Sequence, residues 1–402
     1  MSKNESYIID AVRTPIGKLG GSLSNIRTDD LAALVIKKLD EKCNFDPKEI
    51  DDIILGCANQ AGEDNRNVAR MALLLAGLPQ TIPGETVNRL CASGMSSIIH
   101  AHRAIHTKDG DIFFAGGVEN MTRSPWVISK ASSPFGRNSK MFDSSFGWRF
   151  INPKLDNAYG TESMGETAEN LVEKYNISRE DQDAFAYNSQ VKAVNAQKSG
   201  RLSEEIISVK IPQKKSDSII FNQDEFVKAE STPEGLAKLS PAFRKQGSVT
   251  AGNSSGLNDG AAIMLVASRT AVKKHNLKPL ARIVTSAVIG VEPSTMGIGP
   301  VNASKKALTK AGLKMSDMDI IELNEAFSAQ ALACIRQWDL DDNDPRINPN
   351  GGAIALGHPL GMSGTRILQT AAIELNKQNK SLALITMCIG VGQGYAVIIE
   401  RA

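Results

Sequence analysis

The amino-acid sequence predicts an α/β fold made of two similar halves, with an inserted segment between them. Short apolar runs typical of buried strands alternate with segments of helical periodicity, which is the pattern of βαβ units around a largely parallel sheet. The order of strands and helices in the first part of the chain recurs in the last part. Between these parts, residues 120–247 are rich in Ser, Lys and Asn and contain no cysteine, so we interpret them as an insertion over the main fold.

The first half begins with a predicted strand over residues 7–12. A helix is predicted over residues 29–39, because the apolar spacing is helical and two acidic residues stand at its start, where the helix dipole favours negative charge. A second strand ends at Gly56, a helix covers residues 65–76, and the apolar run 111–117 is a buried strand. These elements alternate as a βαβ fold requires.

The inserted segment has a helix of its own. Ser178 precedes two acidic residues and is the predicted N-cap of a helix that runs to about Lys198. After the insertion, residues 248–267 form a Gly- and Asn-rich turn that leads to another buried strand. We therefore expect an N-terminal half over residues 1–119 and 248–276, an inserted domain over 120–247, and a C-terminal half over 277–402.

The C-terminal half repeats the N-terminal half in a degenerate form. Strand, helix, strand, reactive loop, helix and strand occur twice in the same order. Two such halves packed side by side would bring their equivalent loops together at one shared site. The corresponding segments are 49–56 with 318–324, the Cys91 loop and helix with 348–376, and 111–117 with 382–388.

The composition argues against several classes of protein. There are 46 Lys and Arg against 44 Asp and Glu, a net charge of +2, and no basic stripe with interleaved aromatics, so nucleic acid is not an expected partner. No apolar run approaches the ~20 residues that span a bilayer, and no signal peptide is recognisable, so no membrane association is expected. The five cysteines are widely spaced, so neither a disulfide framework nor a metal site is indicated. A cytoplasmic protein fits these features best.

Cys91 stands in the stretch N-R-L-C-A-S-G-M, directly before a helical pattern. Unpaired amides and the helix dipole at a helix N-terminus favour a thiolate, so this position predicts a lowered pKa and a nucleophile. The small residues that follow leave room for a substrate. A buried structural cysteine is the alternative, and this segment alone leaves both open.

Three further segments carry candidate chemistry. His358 lies in a loop with five glycines, N-P-N-G-G-A-I-A-L-G-H-P-L-G-M-S-G, which permits close approach of a substrate. Cys388 ends a buried strand and precedes glycine amides that could bind an oxyanion, although a core cysteine is the alternative. Asn324, in N-E-A-F, also follows a predicted strand, where its amide could hold a water or stabilise negative charge.

Taken together, these motifs resemble those of the thiolases, the acetyl-CoA acyltransferase family, over essentially the whole chain. The resemblance also rests on I-I-D-A-V-R-T-P-I-G, A-G-G-V-E-N-M, V-T-A-G-N-S-S-G-L-N-D-G-A-A and C-I-G-V-G-Q-G. It implies the thiolase fold, in which two βαβαβαββ halves form five layers, α-β-α-β-α, with an inserted loop domain. It also implies acyl-CoA substrates, coenzyme A as a co-substrate, no tightly bound cofactor, no metal, and a homo-oligomer, either a dimer or a tetramer.

The resemblance assigns roles to individual residues. Cys91 matches the nucleophile that forms the acyl-enzyme, His358 the base that activates it, and Cys388 the acid and base that moves the α-proton of the acetyl group. Asn324, through a water, and His358 match one oxyanion site, and the amides of Cys91 and Gly390 match the second. Coenzyme A contacts carried over from the family are Ser255, Ala251, Phe243, Met164 and Phe327.

The most specific implication of the resemblance concerns the substrate. Thiolases of the acetoacetyl type commonly have a His where this chain has Ser163, and G-E-D-N-R-N-V-A-R, F-G-W-R-F-I-N-P and D-P-R-I-N-P-N-G-G resemble the 3-oxoadipyl-CoA (β-ketoadipyl-CoA) branch. Cleavage of 3-oxoadipyl-CoA is therefore expected, with Arg66 or Arg149 as the reader of the distal carboxylate. The alternatives are an acetyl-CoA acetyltransferase, a general 3-ketoacyl-CoA thiolase, or a catalytically silent acyl-CoA-binding relative.

Overall fold

A large mixed sheet organises the chain, of which a computed structural model describes residues 5–214 and 216–402. The strands are β1 (Ser6–Arg13), β2 (Gly17–Lys18), β3 (Asp52–Gly56), β4 (Gly84–Val87), β5 (Ile112–Asn120), β6 (Trp126–Ile128), β7 (Met141–Asp143), β8 (Val209–Ile211), β9 (Ile219–Phe221), β10 (Asn258–Ser268), β11 (Ala281–Gly290), β12 (Ile320–Leu323), β13 (Leu382–Ile389) and β14 (Gln393–Arg401). The helices are α1 (Thr28–Asp40), α2 (Val68–Leu75), α3 (Ser93–Thr107), α4 (Pro153–Tyr159), α5 (Met164–Tyr175), α6 (Arg179–Lys198), α7 (Pro233–Ala237), α8 (Arg269–Lys274), α9 (Gly299–Ala311), α10 (Ser328–Gln337), α11 (Ala353–Leu356) and α12 (Leu360–Lys377).

The two halves predicted from the sequence repeat are present in the sheet. The N-terminal half has the strand order β4-β3-β5-β10-β1, and the C-terminal half has the order β11-β14-β13-β12. The β3–β5 and β12–β13 pairs are parallel and equivalent, as the repeat predicted. β1 and β11 pair through Tyr7 with Arg282 and Ile8 with Ala281, which joins the halves.

The sheet is more mixed than the sequence pattern indicated. β10 runs antiparallel to both of its neighbours, β1 and β5, and β14 does the same between β11 and β13. The apolar runs of these strands are buried on both faces, as in parallel strands. Apolar periodicity therefore detected the strands but could not give their direction.

Side-chain alternation along the strands produces the five layers. In β1, Ile9 and Val12 pack outward in a cluster with α1 and α2, while Ile8 and Ala11 point inward to a cluster that contains α3 and α12. The inner cluster also takes residues from β12 and β13, so α3 and α12 form a central layer shared by both halves. The outer face of the C-terminal half packs against α9 and α10. The order is α-β-α-β-α.

Helices and small two-stranded sheets between β5 and β10 lie over the core layers. β6 pairs with β7 and β8 pairs with β9 as separate hairpins. Ser178 caps α6 as predicted, because its Oγ accepts a hydrogen bond from the Asp181 N–H at 3.0 Å. The predicted domain boundaries at residues 119, 247 and 276 stay a prediction. Among the described residues, no helix combines the length and apolar character needed to cross a membrane.

Candidate active site

Cys91 lies in a tight turn between β4 and α3. The turn is a single 3-10 turn over Leu90–Ala92, and α3 begins at Ser93. Leu90 has a φ of +47°, in the left-handed region that L-residues rarely adopt, and the Asn88 side chain supports this turn by accepting from the Leu90 N–H at 2.9 Å. The Ser93 hydroxyl donates to the Leu90 carbonyl at 2.7 Å. A locally strained backbone therefore presents the half-buried thiol.

The pKa of the Cys91 thiol is raised to about 11, which corrects the expectation of a lowered value. Burial is the largest cause and outweighs the backbone N–H groups of Gly390 and of Cys91 itself, which donate to the sulfur and lower the pKa. The helix N-terminus thus contributes in the predicted direction, but desolvation is the larger effect. The resting group is a neutral thiol, and an attacking thiolate requires a base.

His358 has the properties of that base. Its side chain is buried, and burial, followed by the charge of Arg366, lowers its pKa to about 3, so the imidazole is neutral near pH 7. The Ser363 Oγ lies 2.6 Å from Nδ1 and donates its only hydrogen to the Pro359 carbonyl at 2.8 Å. Because that hydroxyl can then only accept from the ring, Nδ1 carries the proton and Nε2 carries the free lone pair.

Asn324 faces this lone pair from the end of β12. Its backbone N–H donates to the Thr386 carbonyl of β13 at 3.0 Å, which fixes the end of the strand. Its Nδ2 lies 3.4 Å from Nε2 of His358. Its Oδ1 is buried and has no hydrogen-bond partner among residues 5–214 and 216–402. The pair places two polar side chains next to each other in the interior, which suits a developing oxyanion.

Cys388 is a second thiol of the same site. It is 1% exposed, and burial raises the pKa of its thiol well above the usual value, with a further contribution from the neighbouring Cys91. Its side chain packs in one cluster with Met164, Phe243 and Phe327. Gly390 follows it, and the Gly390 amide points at the Cys91 sulfur. The structure therefore brings both thiols to one place.

Backbone contact between α3 and α12 brings the nucleophile and the imidazole together. A Cβ on Gly94 would lie 2.4 Å from the carbonyl oxygen of Gly361, and a Cβ on Gly364 would lie 2.4 Å from the Met95 nitrogen. Side chains at these positions would push the helix N-termini apart. The glycines that follow Cys91 and His358 in the sequence are thus required by helix packing as well as by access to the site.

Glu119, which was not among the site residues predicted from the sequence, joins the two halves. Its carboxylate accepts from the backbone N–H groups of Ala58, Asn59 and Gly361, each at 2.9–3.0 Å. Burial raises its pKa to about 7. Cys57 and Asp64 lie close enough to share a cation with it, but both Glu119 oxygens already accept backbone hydrogen bonds, so we assign no metal role to this group.

Two other positioning residues were also missed. Ser363 sets the tautomer of His358, and Asn258 accepts from the His358 backbone N–H at 2.9 Å. A Cβ on Gly357, whose φ is +106°, would lie 2.6 Å from the Asn258 amide, so this glycine allows the contact. The sequence contained a signal for Ser363, since it stands one helical turn into the helix that follows the histidine.

Three of the five residues predicted for coenzyme A, Met164, Phe243 and Phe327, pack in one cluster with Cys388. The Phe243 and Phe327 rings meet edge to face with centroids 6.0 Å apart, and a Cβ on Gly165 would fall 2.0 Å from the Phe243 ring. The Ser255 N–H donates to the Ala326 carbonyl at 3.0 Å, which places its loop beside Phe327. The same loop carries Ala251, which is exposed. Their contacts with coenzyme A stay a prediction.

The comparisons with known proteins agree with the fold. The Thiolase, N-terminal domain model matches residues 6–270 and the Thiolase, C-terminal domain model matches residues 277–401. The chain is 55% identical over 398 residues to the 3-oxoadipyl-CoA/3-oxo-5,6-dehydrosuberyl-CoA thiolase of Escherichia coli strain K12, covering 99% of each. It is 53% identical over 397 residues to a beta-ketoadipyl-CoA thiolase of Acinetobacter baylyi, covering 98% of this chain and 99% of the relative.

This chain also matches a solved structure over its whole length. The acetyl-CoA acetyltransferase of Bacillus anthracis superimposes with a TM-score of 0.93 at 40% identity, covering 100% of this chain and 99% of that one.

Proposed function

The chain belongs to the thiolase family, and we propose that it cleaves 3-oxoadipyl-CoA with coenzyme A to succinyl-CoA and acetyl-CoA. One observation carries the choice of substrate: identity of 53–55% over nearly the full length to relatives named for 3-oxoadipyl-CoA or beta-ketoadipyl-CoA. Ser163 supports it, because thiolases of the acetoacetyl type commonly have a His at this position.

In the first half-reaction, Nε2 of His358 takes the proton of the Cys91 thiol. The thiolate attacks the 3-oxo carbon of the substrate, and the bond between C2 and C3 breaks. The acyl group stays on Cys91, and the electron pair passes to an acetyl-CoA enolate, to which the Cys388 thiol gives its proton. The neutral, Nδ1-protonated imidazole supports this assignment because its lone pair faces the site.

Two oxyanion sites fit the charges that develop. The backbone amides of Cys91 and Gly390 would hold the oxygen of the group bound to the Cys91 sulfur. Once Nε2 of His358 is protonated it becomes a donor, and with a water held at the free Oδ1 of Asn324 it would stabilise the enolate oxygen. The proton that His358 takes from Cys91 would therefore also help to stabilise the enolate oxygen.

In the second half-reaction, coenzyme A loses its thiol proton to the deprotonated Cys388 and attacks the thioester. Succinyl-CoA leaves, Cys91 departs as a thiolate, and the proton held by His358 returns to it, so both thiols end as they began. Coenzyme A is a co-substrate in this cycle, and no tightly bound cofactor is needed. Met164, Phe243 and Phe327 would pack against its pantetheine arm, beside Ser255 and Ala251.

We also place the enzyme in the cytoplasm as a homo-oligomer, either a dimer or a tetramer. The β6–β7 hairpin supports association, because Trp126 and Ile128 are 67% and 66% exposed, and Phe135 at its tip is fully exposed. β4 ends the sheet among the described strands, and an unpaired edge offers a second surface for another copy. Light scattering coupled to size exclusion would measure the mass in solution, and a monomer would contradict this assignment.

A substrate panel tests the proposed activity. Steady-state kcat/KM would be measured for 3-oxoadipyl-CoA, acetoacetyl-CoA and 3-oxohexanoyl-CoA under one set of conditions. We expect 3-oxoadipyl-CoA to be preferred by at least about tenfold, or 1.4 kcal/mol in transition-state binding. A preference for acetoacetyl-CoA would indicate an acetyl-CoA acetyltransferase, and equal turnover of all three a general 3-ketoacyl-CoA thiolase. No turnover, and no acyl group on Cys91, would indicate a catalytically silent relative.

A further inference from the structure

The loop that follows β7 is connected to the reactive thiol through the start of α5. Trp148 donates from its indole nitrogen to the Glu162 carbonyl at 3.2 Å, two residues before Met164. A Cβ on Gly390 would lie 3.5 Å from the Met164 sulfur, and the Gly390 amide donates to the sulfur of Cys91. One short chain of contacts therefore connects this loop to the site.

Arg149, the next residue of the loop, contacts Asn59 in the segment that follows β3. Its Nη2 donates to the side-chain oxygen of Asn59 at 3.0 Å and lies 3.3 Å from the Asn59 carbonyl. The carbonyl of the adjacent Ala58 accepts from the Asn88 side chain at 2.9 Å, and Asn88 in turn supports Leu90, the residue before Cys91. The guanidinium thus contacts the Asn59 segment, which is connected through Ala58 and Asn88 to the turn that carries Cys91.

Arg149 is half-buried, yet its partners are all neutral. Besides Asn59, its hydrogen-bond partner is the Ser144 carbonyl, at 3.3 Å, and no carboxylate within residues 5–214 and 216–402 forms an ion pair with it. Other half-buried arginines do have such partners, as Arg123 does in Glu63. A planar guanidinium with donors to spare and no counter-charge suits a bidentate carboxylate.

Building on the activity proposed above, we propose that Arg149 binds the distal carboxylate of a dicarboxylic 3-oxoacyl chain attached at Cys91. Arg66 is less suitable because it is exposed, and a solvated ion pair discriminates little between substrates. Arg89 is less suitable because Ser96 and Gln393 engage its guanidinium, which stacks over the Tyr395 ring on the side of α3 and β14.

The experiment compares wild type, Arg149→Met, Arg149→Lys and the matched control Arg66→Met on 3-oxoadipyl-CoA and its neutral analogue 3-oxohexanoyl-CoA. For Arg149→Met we expect kcat/KM on 3-oxoadipyl-CoA to fall about 30- to 700-fold, which corresponds to about 2–4 kcal/mol at 1.4 kcal/mol per tenfold. Turnover of 3-oxohexanoyl-CoA should change by less than about threefold. Arg149→Lys should retain more kcat/KM on 3-oxoadipyl-CoA than Arg149→Met, because lysine keeps the positive charge but cannot form two parallel hydrogen bonds to a carboxylate. Arg66→Met should leave both substrates unchanged.

The single-step acylation of Cys91 gives a second readout. Mass spectrometry of the intact protein would follow labelling by succinyl-CoA and by butyryl-CoA, and only succinylation should be slowed in Arg149→Met. Equal losses on charged and neutral acyl groups would mean that Arg149 only supports Asn59, and an unchanged preference would mean that the carboxylate is bound elsewhere; either overturns the inference. A wild type without preference for 3-oxoadipyl-CoA would instead refute the proposed substrate itself.

Discussion

Replacing Ser363 with Ala should slow the acylation of Cys91, although Ser363 itself does not react with the substrate. In the native site the Ser363 hydroxyl accepts from Nδ1–H of His358 at 2.6 Å and donates to the Pro359 carbonyl. Ser363→Ala removes the one acceptor that holds the proton on Nδ1. The proton can then move to Nε2, where a donor cannot accept the proton of the Cys91 thiol.

The size of the effect follows from burial of the ring. A buried donor left without an acceptor costs about 1–3 kcal/mol, and His358 is only 5% exposed. This cost is the free energy needed to return the proton to Nδ1 before each acylation. At 1.4 kcal/mol per tenfold it slows formation of the acyl-enzyme by about 5- to 140-fold.

The assay is rapid-quench mixing with succinyl-CoA, with acylated Cys91 quantified by intact-protein mass spectrometry. Ser97→Ala is the matched control, because this buried serine also lies in the central layer and bonds the carbonyls of Gly94 and Gly116 at 2.7 and 2.6 Å. We expect both variants to lose comparable thermal stability and only Ser363→Ala to acylate slowly. Acylation of Ser363→Ala within about twofold of wild type would refute the tautomer argument, because that is below the smallest expected cost.

Four further predictions test the division of labour. Cys91→Ala should lower thiolysis at least about 1,000-fold and accept no acyl group, and an acyl adduct elsewhere would contradict the nucleophile assignment. Cys388→Ser should still be acylated at Cys91 by succinyl-CoA but lose at least about 100-fold in full turnover, and loss of acylation as well would assign it another role. Because the Cys91 pKa is raised to about 11, its alkylation by iodoacetamide should rise about tenfold per pH unit from pH 7 to 9, whereas a plateau near pH 7 would indicate a thiolate already formed. Glu119→Gln puts an amide N–H₂ against at least one of the backbone donors of Ala58, Asn59 and Gly361, and urea unfolding should reveal a loss of about 1.5–3 kcal/mol. An unchanged midpoint would mean that the carboxylate does not join the two halves.

Local patterns in the sequence predicted the elements and their order. The buried strand runs and the helix after Ser178 lie where their periodicity and capping residues placed them, because these signals depend on neighbours within a few residues. The degenerate repeat predicted two equivalent halves, and the paired strands β3–β5 and β12–β13 confirm it. Strand direction in β10 and β14 was missed, because parallel and antiparallel strands buried on both faces have the same apolar pattern.

The sequence by itself determined which residues could carry chemistry: two cysteines and one histidine beside glycine-rich turns, with an asparagine at a strand end. Only the tertiary structure decided their protonation. The pKa of Cys91 depends on how completely distant segments cover it and on the Gly390 amide, and the tautomer of His358 depends on where the Ser363 hydroxyl points. Desolvation and hydrogen-bond partners are set by residues remote along the chain, whereas periodicity and capping are local. The helix argument for Cys91 therefore identified the backbone amides that lower its pKa, but not the desolvation that raises it by more.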